Sequence, residues 1–324
     1  MNAKQPIAIG IDLGGTEIKL ATVDGQGVVR SRDTAQTDAR VSGARLLEQT
    51  VHLVRQAMGE LEGTGVIQAI GLAVPGVIDR DAGRIELTVA LTEEWNGYAA
   101  GPALTAELGK PVLLMNDAQA ATEGEHRAGS GRGFRDFLSV TVGTGIGGGL
   151  VLNGEVYEGS RGMSGVIGHT TVVPDGIPCG CGNRGCLETV ASGQAIQRAA
   201  RAAVEAGTWQ PATPVDDLTP RTIAALARAG DLTARVFFTN AGTVLGMALA
   251  NAVCLLNLEA IVVGGGVARA GELLLDPIRH EIRRRTTVFS PERGGVTVVQ
   301  SALDGYAGAI GSALGAMRLT DTSS

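Results

Sequence analysis

The chain has 324 residues, 44% hydrophobic and 19% charged, with a formal net charge of −6. That length holds two domains with cores of their own, and the composition is globular, not disordered. The acidic balance gives no attraction for nucleic acid or an anionic membrane. No apolar run approaches the ~18 residues of a membrane span, and Met1 leads into a strand-like stretch with no signal-peptide pattern, so the expectation is a cytoplasmic protein.

Glycine is the outlier at 48 residues, about twice the usual ~7%. The glycines gather in loops between strand-like runs, as close backbone approach to ligands requires. The first such unit spans 7–24: an apolar strand, the turn Asp12-Leu-Gly14-Gly15-Thr16, then a second strand carrying Lys19. Asp24-Gly25 closes it with a hairpin signal. Residues 41–62 have helical spacing, and 66–74 read as a buried strand stopped by Pro75-Gly76. A helix over 99–109 ends at Gly109, and the strand 111–115 leads into Asn116-Asp117 and an alanine-rich helix from Ala118.

Residues 137–153 then repeat the opening pattern, with the turn Gly143-Thr144-Gly145-Ile-Gly147-Gly148 between two apolar strands and Asn153-Gly154 as the hairpin signal. Two glycine-tipped hairpins about 130 positions apart imply a duplicated unit, one per domain. Such tips expose backbone N–H groups, and concave nests of this kind bind phosphate oxygens. Thr16 and Lys19 add a hydroxyl and a cation to the first. The second also fits the dinucleotide fingerprint G-x-G-x-x-G, but that motif needs a helix directly after its glycines, and the residues that follow alternate like a strand.

Next comes the densest chemical signal. His169 is followed ten residues later by Cys179, Cys181 and Cys186, three of the four cysteines, in a glycine-rich loop. One imidazole and three thiolates make a closed tetrahedral zinc set with no open position for catalytic water, so the site reads as structural. The fourth, Cys254, lies in an apolar helical stretch and reads as core, and unpaired thiols suit a reducing compartment. Helices fill most of 190–257, with a Pro/Asp-rich break at 211–220. The strand 260–263 closes on Gly264-Gly265-Gly266. A helix near 270–287, a strand near 295–300 and a helix over 304–318 complete an α/β pattern.

In order, Asp12-Leu-Gly-Gly-Thr16-x-x-Lys19, Gly71-x-x-x-Pro75-Gly76-x-x-Asp79, Asn116-Asp117-Ala118, Gly143-Thr-Gly145-Ile-Gly147-Gly148 and Cys179-Gly-Cys181-Gly-x-x-Gly-Cys186-Leu-Glu188 resemble the motifs of the ROK family (repressor, open reading frame, kinase) over essentially the whole chain. The resemblance implies the two-domain actin-like ATPase (ribonuclease H-like) α/β fold, with a central cleft and a zinc loop. Its smaller domain would be 1–117 plus the C-terminal helix 304–324, and its larger one 118–303. Family regulators carry a helix-turn-helix before the first phosphate strand, which here begins at Ile7, so the kinase branch is expected.

The resemblance implies ATP-dependent phosphorylation of a hexose, glucose to glucose 6-phosphate, with Asp117 as general base. Phosphoryl transfer to a hydroxyl needs such a base plus charge stabilisation on the phosphates. On residues alone Asp117 could equally be the N-cap of the helix at Ala118, a job for which Asn116 competes. The implied ATP site comprises Asp12, Gly14, Gly15, Thr16, Lys19, Gly143, Thr144, Gly145, Gly264 and Gly265. Asp12 would hold Mg²⁺ through water, or else merely cap its turn. Gly264 and Gly265 would let adenine and ribose lie against the backbone, or serve as a plain strand turn. Gly76, Asn116, Asp117, His169 and Glu188 would contact the sugar, with His169, Cys179, Cys181 and Cys186 on structural Zn²⁺; Glu188 could instead be a surface residue of a first helical turn. The implied assembly is a homodimer or homotetramer.

Two departures bear on the sugar. The family's Gly-Glu-x-Gly-His is Gly165-Val166-Ile-Gly-His169 here, and losing a hydrogen bond to a charged group, worth about 1.5–3 kcal/mol, weakens binding about tenfold or more. Thr92-Glu93-Glu94-Trp95 also differs from the lead into the family tryptophan. Kinases of N-acetylmannosamine, N-acetylglucosamine, fructose or allose, and a non-catalytic sugar-sensing regulator, are the alternatives.

Overall fold

The computed structural model describes residues 5–37, 42–88, 91–289, 295–303 and 305–321. The chain forms two compact units. The first contains Met1–Gly133, Val156–Ser164 and Ala302–Ser324, the second Phe134–Glu155 and Gly165–Ser301. The first unit therefore runs past Asp117 and keeps the helix that follows it, a boundary different from the one expected. Asp304, the first residue of the expected C-terminal helix, lies outside the described residues.

The first unit opens with β1 (Gln5–Leu13), β2 (Glu17–Asp24) and β3 (Val29–Gln36), a meander paired antiparallel throughout. Asp24 makes the β2–β3 turn. Its buried carboxylate accepts from the backbone N–H groups of Gln26 (2.9 Å) and Val28 (3.0 Å), an Asx turn that fixes the reversal. After α1 (Gly43–Glu60), β4 (Gly65–Val74) joins β1 in parallel. The small hairpin β5 (Val77–Asp79) and β6 (Arg84–Leu87), α2 (Ala100–Leu108) and β7 (Val112–Asn116) follow, with β7 parallel to β4. The sheet order is β3-β2-β1-β4-β7. Helix α3 (Asp117–Ala128) begins directly on the end of β7.

The second unit repeats this plan. β8 (Phe137–Val142) and β9 (Ile146–Leu152) lead to β10 (Glu155–Tyr157), of which Glu155 belongs to this unit and Val156 and Tyr157 to the first; α4 (Glu188–Ala191), α5 (Gly193–Glu205), α6 (Pro220–Arg228) and α7 (Leu232–Leu256) follow. Then come β11 (Ala260–Gly264), α8 (Glu272–Arg285) and β12 (Thr297–Gln300), and α9 (Ala307–Asp321) returns to the first unit. The sheet order is β10-β9-β8-β11-β12, with β8/β9 antiparallel and β8, β11 and β12 parallel. In β9, β8, β11 and β12 this repeats the order and directions of β2, β1, β4 and β7, so the duplication expected from the two hairpins is present. Because β9 begins at Ile146, inside Gly143–Gly148, the dinucleotide fingerprint lacks its helix.

The alternation of side-chain size in the first sheet explains its packing. Ile9, Ile11 and Leu13 of β1 and Ile70, Leu72 and Val74 of β4 form one core with Leu46, Val54 and Leu104 of α1 and α2. The opposite face carries Ala8 and Gly10, then Ala69, Gly71 and Ala73, and α9 lies on it through Ala309, Ala313 and Ala316. A Cβ at Gly10 or Gly71 would overlap backbone atoms of α9, so the helix sits at glycine distance from the strands.

Two expectations fail in α7. Cys254 is exposed, not core. The sequence from 232 to 256 is also long and apolar enough to cross a bilayer on length and composition alone, contrary to the reading that no such run exists. Its residues Ala234, Phe238, Leu245, Leu249 and Val253 are instead buried in the second unit's core. A helix with one charged residue in 25 shows no polar face in sequence, so pattern alone could not tell which side Cys254 occupies.

Candidate functional site

In the first unit the candidate residues collect where parallel strands end, the edge at which α/β folds place their sites. Asp12 is opposite Ala73 in the β1/β4 register and opposite Lys19 in β1/β2. Asn116 pairs with Val74, one residue before Pro75-Gly76. Gly14, Gly15 and Thr16 make the β1–β2 turn, closed by the Gly14 N–H donating to the Glu17 carbonyl at 3.0 Å.

The competition for the cap of α3 is resolved by geometry. Asn116 is the N-cap: its Oδ1 accepts from the N–H groups of Ala118 (3.0 Å) and Gln119 (3.1 Å), while its Nδ2 donates to the Gly76 carbonyl at 2.9 Å. Asp117 is thereby relieved of capping and stands as the first helical residue, with one oxygen accepting from the Ala118 N–H at 2.8 Å. Gly76 has φ +127°, and a Cβ there would overlap the Leu87 carbonyl, so only glycine fits beside Asn116.

Both acids are strongly perturbed. Burial lifts Asp117 to about 6, against the pull of the Ala118 N–H and Asn116. Burial lifts Asp12 to about 7; the negative charge of Asp117 adds to the rise and Lys19 opposes it. A pair of carboxylates that resists ionisation together is poised to take a proton and to hold a cation.

The second unit assembles the other half of the expected set. The turn Gly143–Gly145 joins β8 to β9, with the Gly143 N–H donating to the Gly145 carbonyl at 2.9 Å; a Cβ on Gly143 would meet nothing within 4 Å, so this face of the turn is open. At the neighbouring strand end, Gly265 has φ +89° and a Cβ there would crowd Val142, which only glycine avoids. Gly264 pairs with Thr141, so both glycine turns share one sheet edge.

Glu188, the first residue of α4, links that edge to the cysteine loop. One of its oxygens lies 3.5 Å from the Ile146 N–H nitrogen, and a Cβ on Gly145 would meet the same oxygen at 2.7 Å. The other accepts from the Cys179 thiol at 3.0 Å and lies 3.5 Å from His169 Nδ1. Its side chain is 24% exposed, so it is not the free surface residue that its place in a first helical turn allowed.

The donor set fits zinc. The ligand atoms of His169, Cys179, Cys181 and Cys186 lie within 4.8 Å of one another. Bonds of ~2.3 Å to sulfur and ~2.0 Å to nitrogen put tetrahedral neighbours about 3.5–3.8 Å apart. The Cys181 and Cys186 sulfurs are 3.7 Å apart, and Cys179 Sγ is 3.6 Å from His169 Nδ1. Burial pushes the Cys179 thiol up to about 12, so a metal ion binding here must displace that proton. The Cys179–Glu188 hydrogen bond belongs to the thiol form and is lost when that proton leaves.

The ROK family pattern matches residues 8–318. The chain belongs to the ROK family. It is 38% identical over 278 residues to a glucokinase of Halalkalibacterium halodurans, covering 84% of each chain. It is 32% identical over 315 residues to a glucokinase of Streptomyces coelicolor, covering 95% of this chain and 96% of that one. The crystal structure of a ROK family glucokinase from Streptomyces griseus, in complex with glucose and AMPPNP, superposes with a TM-score of 0.83 at 32% identity, covering 96% of this chain and 99% of that one.

Two residues with a place at the site escaped the sequence reading. A Cβ on Gly308, in the first turn of α9, would lie 2.7 Å from an Asp12 oxygen, so this glycine makes room for the carboxylate. Its signal was the spacing Gly308, Gly311, Gly315. Gln119, buried two residues after Asp117, left no signal beyond its alanine-rich surroundings.

Proposed function

We propose that this protein is an ATP-dependent glucokinase that transfers the terminal phosphoryl group of ATP to the 6-hydroxyl of glucose. The observation that carries the reading is Asp117: released from capping by Asn116, half-buried just past the end of the parallel strand β7 and lifted to about 6. That is a general base tuned toward neutrality in a chain similar to glucokinases over most of its length.

Asp117 takes the hydroxyl proton as the sugar oxygen bonds to phosphorus and the bond to ADP breaks. Backbone N–H groups of Gly15 and Gly145, with Thr16, Thr144 and Lys19, hold phosphate oxygens, while Gly14 and Gly143 close the two turns through their own N–H groups. Asp12 would hold Mg²⁺ through water; bound there, the ion neutralises phosphate charge. Gly264 and Gly265 admit the nucleoside. Gly76, Asn116, His169 and Glu188 orient the sugar hydroxyls, and zinc on His169, Cys179, Cys181 and Cys186 fixes the loop that presents the last two. The reading includes a cytoplasmic homodimer or homotetramer.

ADP release measured against a panel of hexoses tests the proposal. Glucose-dependent ADP formation with a stoichiometric hexose 6-phosphate is expected. A stronger response to N-acetylmannosamine, fructose or allose would reassign the sugar, and no hexose-dependent ADP would overturn the kinase reading.

A further inference from the structure

We infer that Gln119 is a positioning residue, whose amide fastens the loop Glu158–Ser164 to the helix that carries Asp117. Gln119 sits in the first turn of α3 and is 5% exposed, a costly place for an amide unless its polar atoms are engaged. Its Nε2 donates to the Ser164 carbonyl at 2.9 Å and approaches Ser164 Oγ at 3.4 Å. Its Oε1 has no partner, so the bonds to Ser164 are what orient the amide.

Ser164 in turn closes the loop on itself. Its N–H donates to the Glu158 carbonyl at 3.1 Å and its hydroxyl to the Tyr157 carbonyl. Gly159, at φ +72°, lets the loop fold back, since a Cβ there would meet Ser164 Cβ at 3.3 Å. An ion pair between Arg80 and Glu158 is a second fastening. Both residues line, with Asn116 and Gln119, a cavity of about 60 Å³.

Position along the chain gives this fastening its consequence. Val156–Ser164 packs with the first unit, whereas Gly165 and the residues after it pack with the second. Gly165 leaves no slack: its φ is +78° and a Cβ on it would lie 2.6 Å from Gly149 Cα. The segment Gly165–His169 thus departs from a fixed point, and that segment delivers His169 to the zinc set. Gln119 acts on the sugar only through it, and this part rests on the kinase reading.

The test is Gln119→Leu in the full chain, a change that removes the donor at similar size. One buried hydrogen bond corresponds to about a three- to tenfold effect. The sugar KM is expected to rise by that factor with kcat and the ATP KM little changed. Amide exchange in 158–164 should rise by the same factor while α7 keeps its protection, a pattern that general destabilisation would not give. Should Gln119→Leu not fold, Arg80→Glu should raise exchange in the same loop, and adding Glu158→Arg should restore it. Unchanged exchange, raised exchange with an unaltered sugar KM, or failure of the charge swap would overturn the inference. If the wild-type protein turned over no hexose, the kinase reading would fall, while exchange would still decide whether Gln119 holds the loop.

Discussion

Replacing Asp117 by Asn should make the protein more stable and almost inactive. Burial lifts Asp117 from its ordinary 3.8 to about 6, so above that pH the fold carries a carboxylate it disfavours. For a raised acid, the stabilising contribution is present below the unfolded value and lost as pH rises through the folded one. A rise of roughly two, at about 1.4 kcal/mol each, is a penalty of at most about 3 kcal/mol at pH 8. Asp117 is only half-buried, and solvent screening brings this to about 1–2 kcal/mol. Asparagine is isosteric and keeps an oxygen for the Ala118 N–H. Denaturant unfolding should therefore show Asp117→Asn more stable by about 1–2 kcal/mol at pH 8 and by about half that at pH 5. Turnover should fall about 10²–10⁴-fold, the usual contribution of a general base. A gain independent of pH, or none at pH 8, would refute the assignment of a half-buried Asp117 ionised at that pH.

Other perturbations separate the roles. Because the base must be ionised, kcat/KM for the sugar should fall about tenfold per pH unit below about 6, the value burial gives Asp117; a profile flat to pH 5 would contradict this. Chelation or Cys181→Ser should release one zinc per chain and raise the sugar KM more than the ATP KM, read by metal analysis and kinetics. Full activity in metal-free protein would show that the loop stands unaided. Gly71→Ala, whose Cβ would overlap the α9 backbone at Ser312, should cost about 3 kcal/mol or more or prevent folding. Gly59→Ala meets nothing within 4 Å near the end of α1 and should stabilise by about 0.5–1 kcal/mol; thermal denaturation of the two variants checks both.

Elements with a strong local pattern were legible in sequence. The β1–β2 and β8–β9 hairpins combine apolar strands with glycine turns, and Asn116-Asp117 stands where an apolar strand meets an alanine-rich helix. Strand β3 was not seen, because Val29–Gln36 is mostly exposed and carries Arg30, Arg32 and Asp33; an edge strand needs only one neighbour and little apolar surface. The β5–β6 hairpin is too short to show a period. The metal set was legible because cysteine and histidine are rare here, so their clustering is itself informative. What no local pattern reveals is which residue takes the cap, which face of α7 meets water, and which distant chain Gln119 reaches. Those depend on contacts between segments far apart in sequence.

The central claim is that Asp117 accepts a proton from glucose while the chain moves a phosphoryl group from ATP. Glucose 6-phosphate and ADP formation should be measured side by side for the wild-type protein and Asp117→Asn, with glucose binding measured for both. Equal product and ADP from the wild type, with turnover lost in the variant but glucose still bound, is the predicted result. Near-normal turnover by Asp117→Asn, or no glucose 6-phosphate from the wild type, would contradict it.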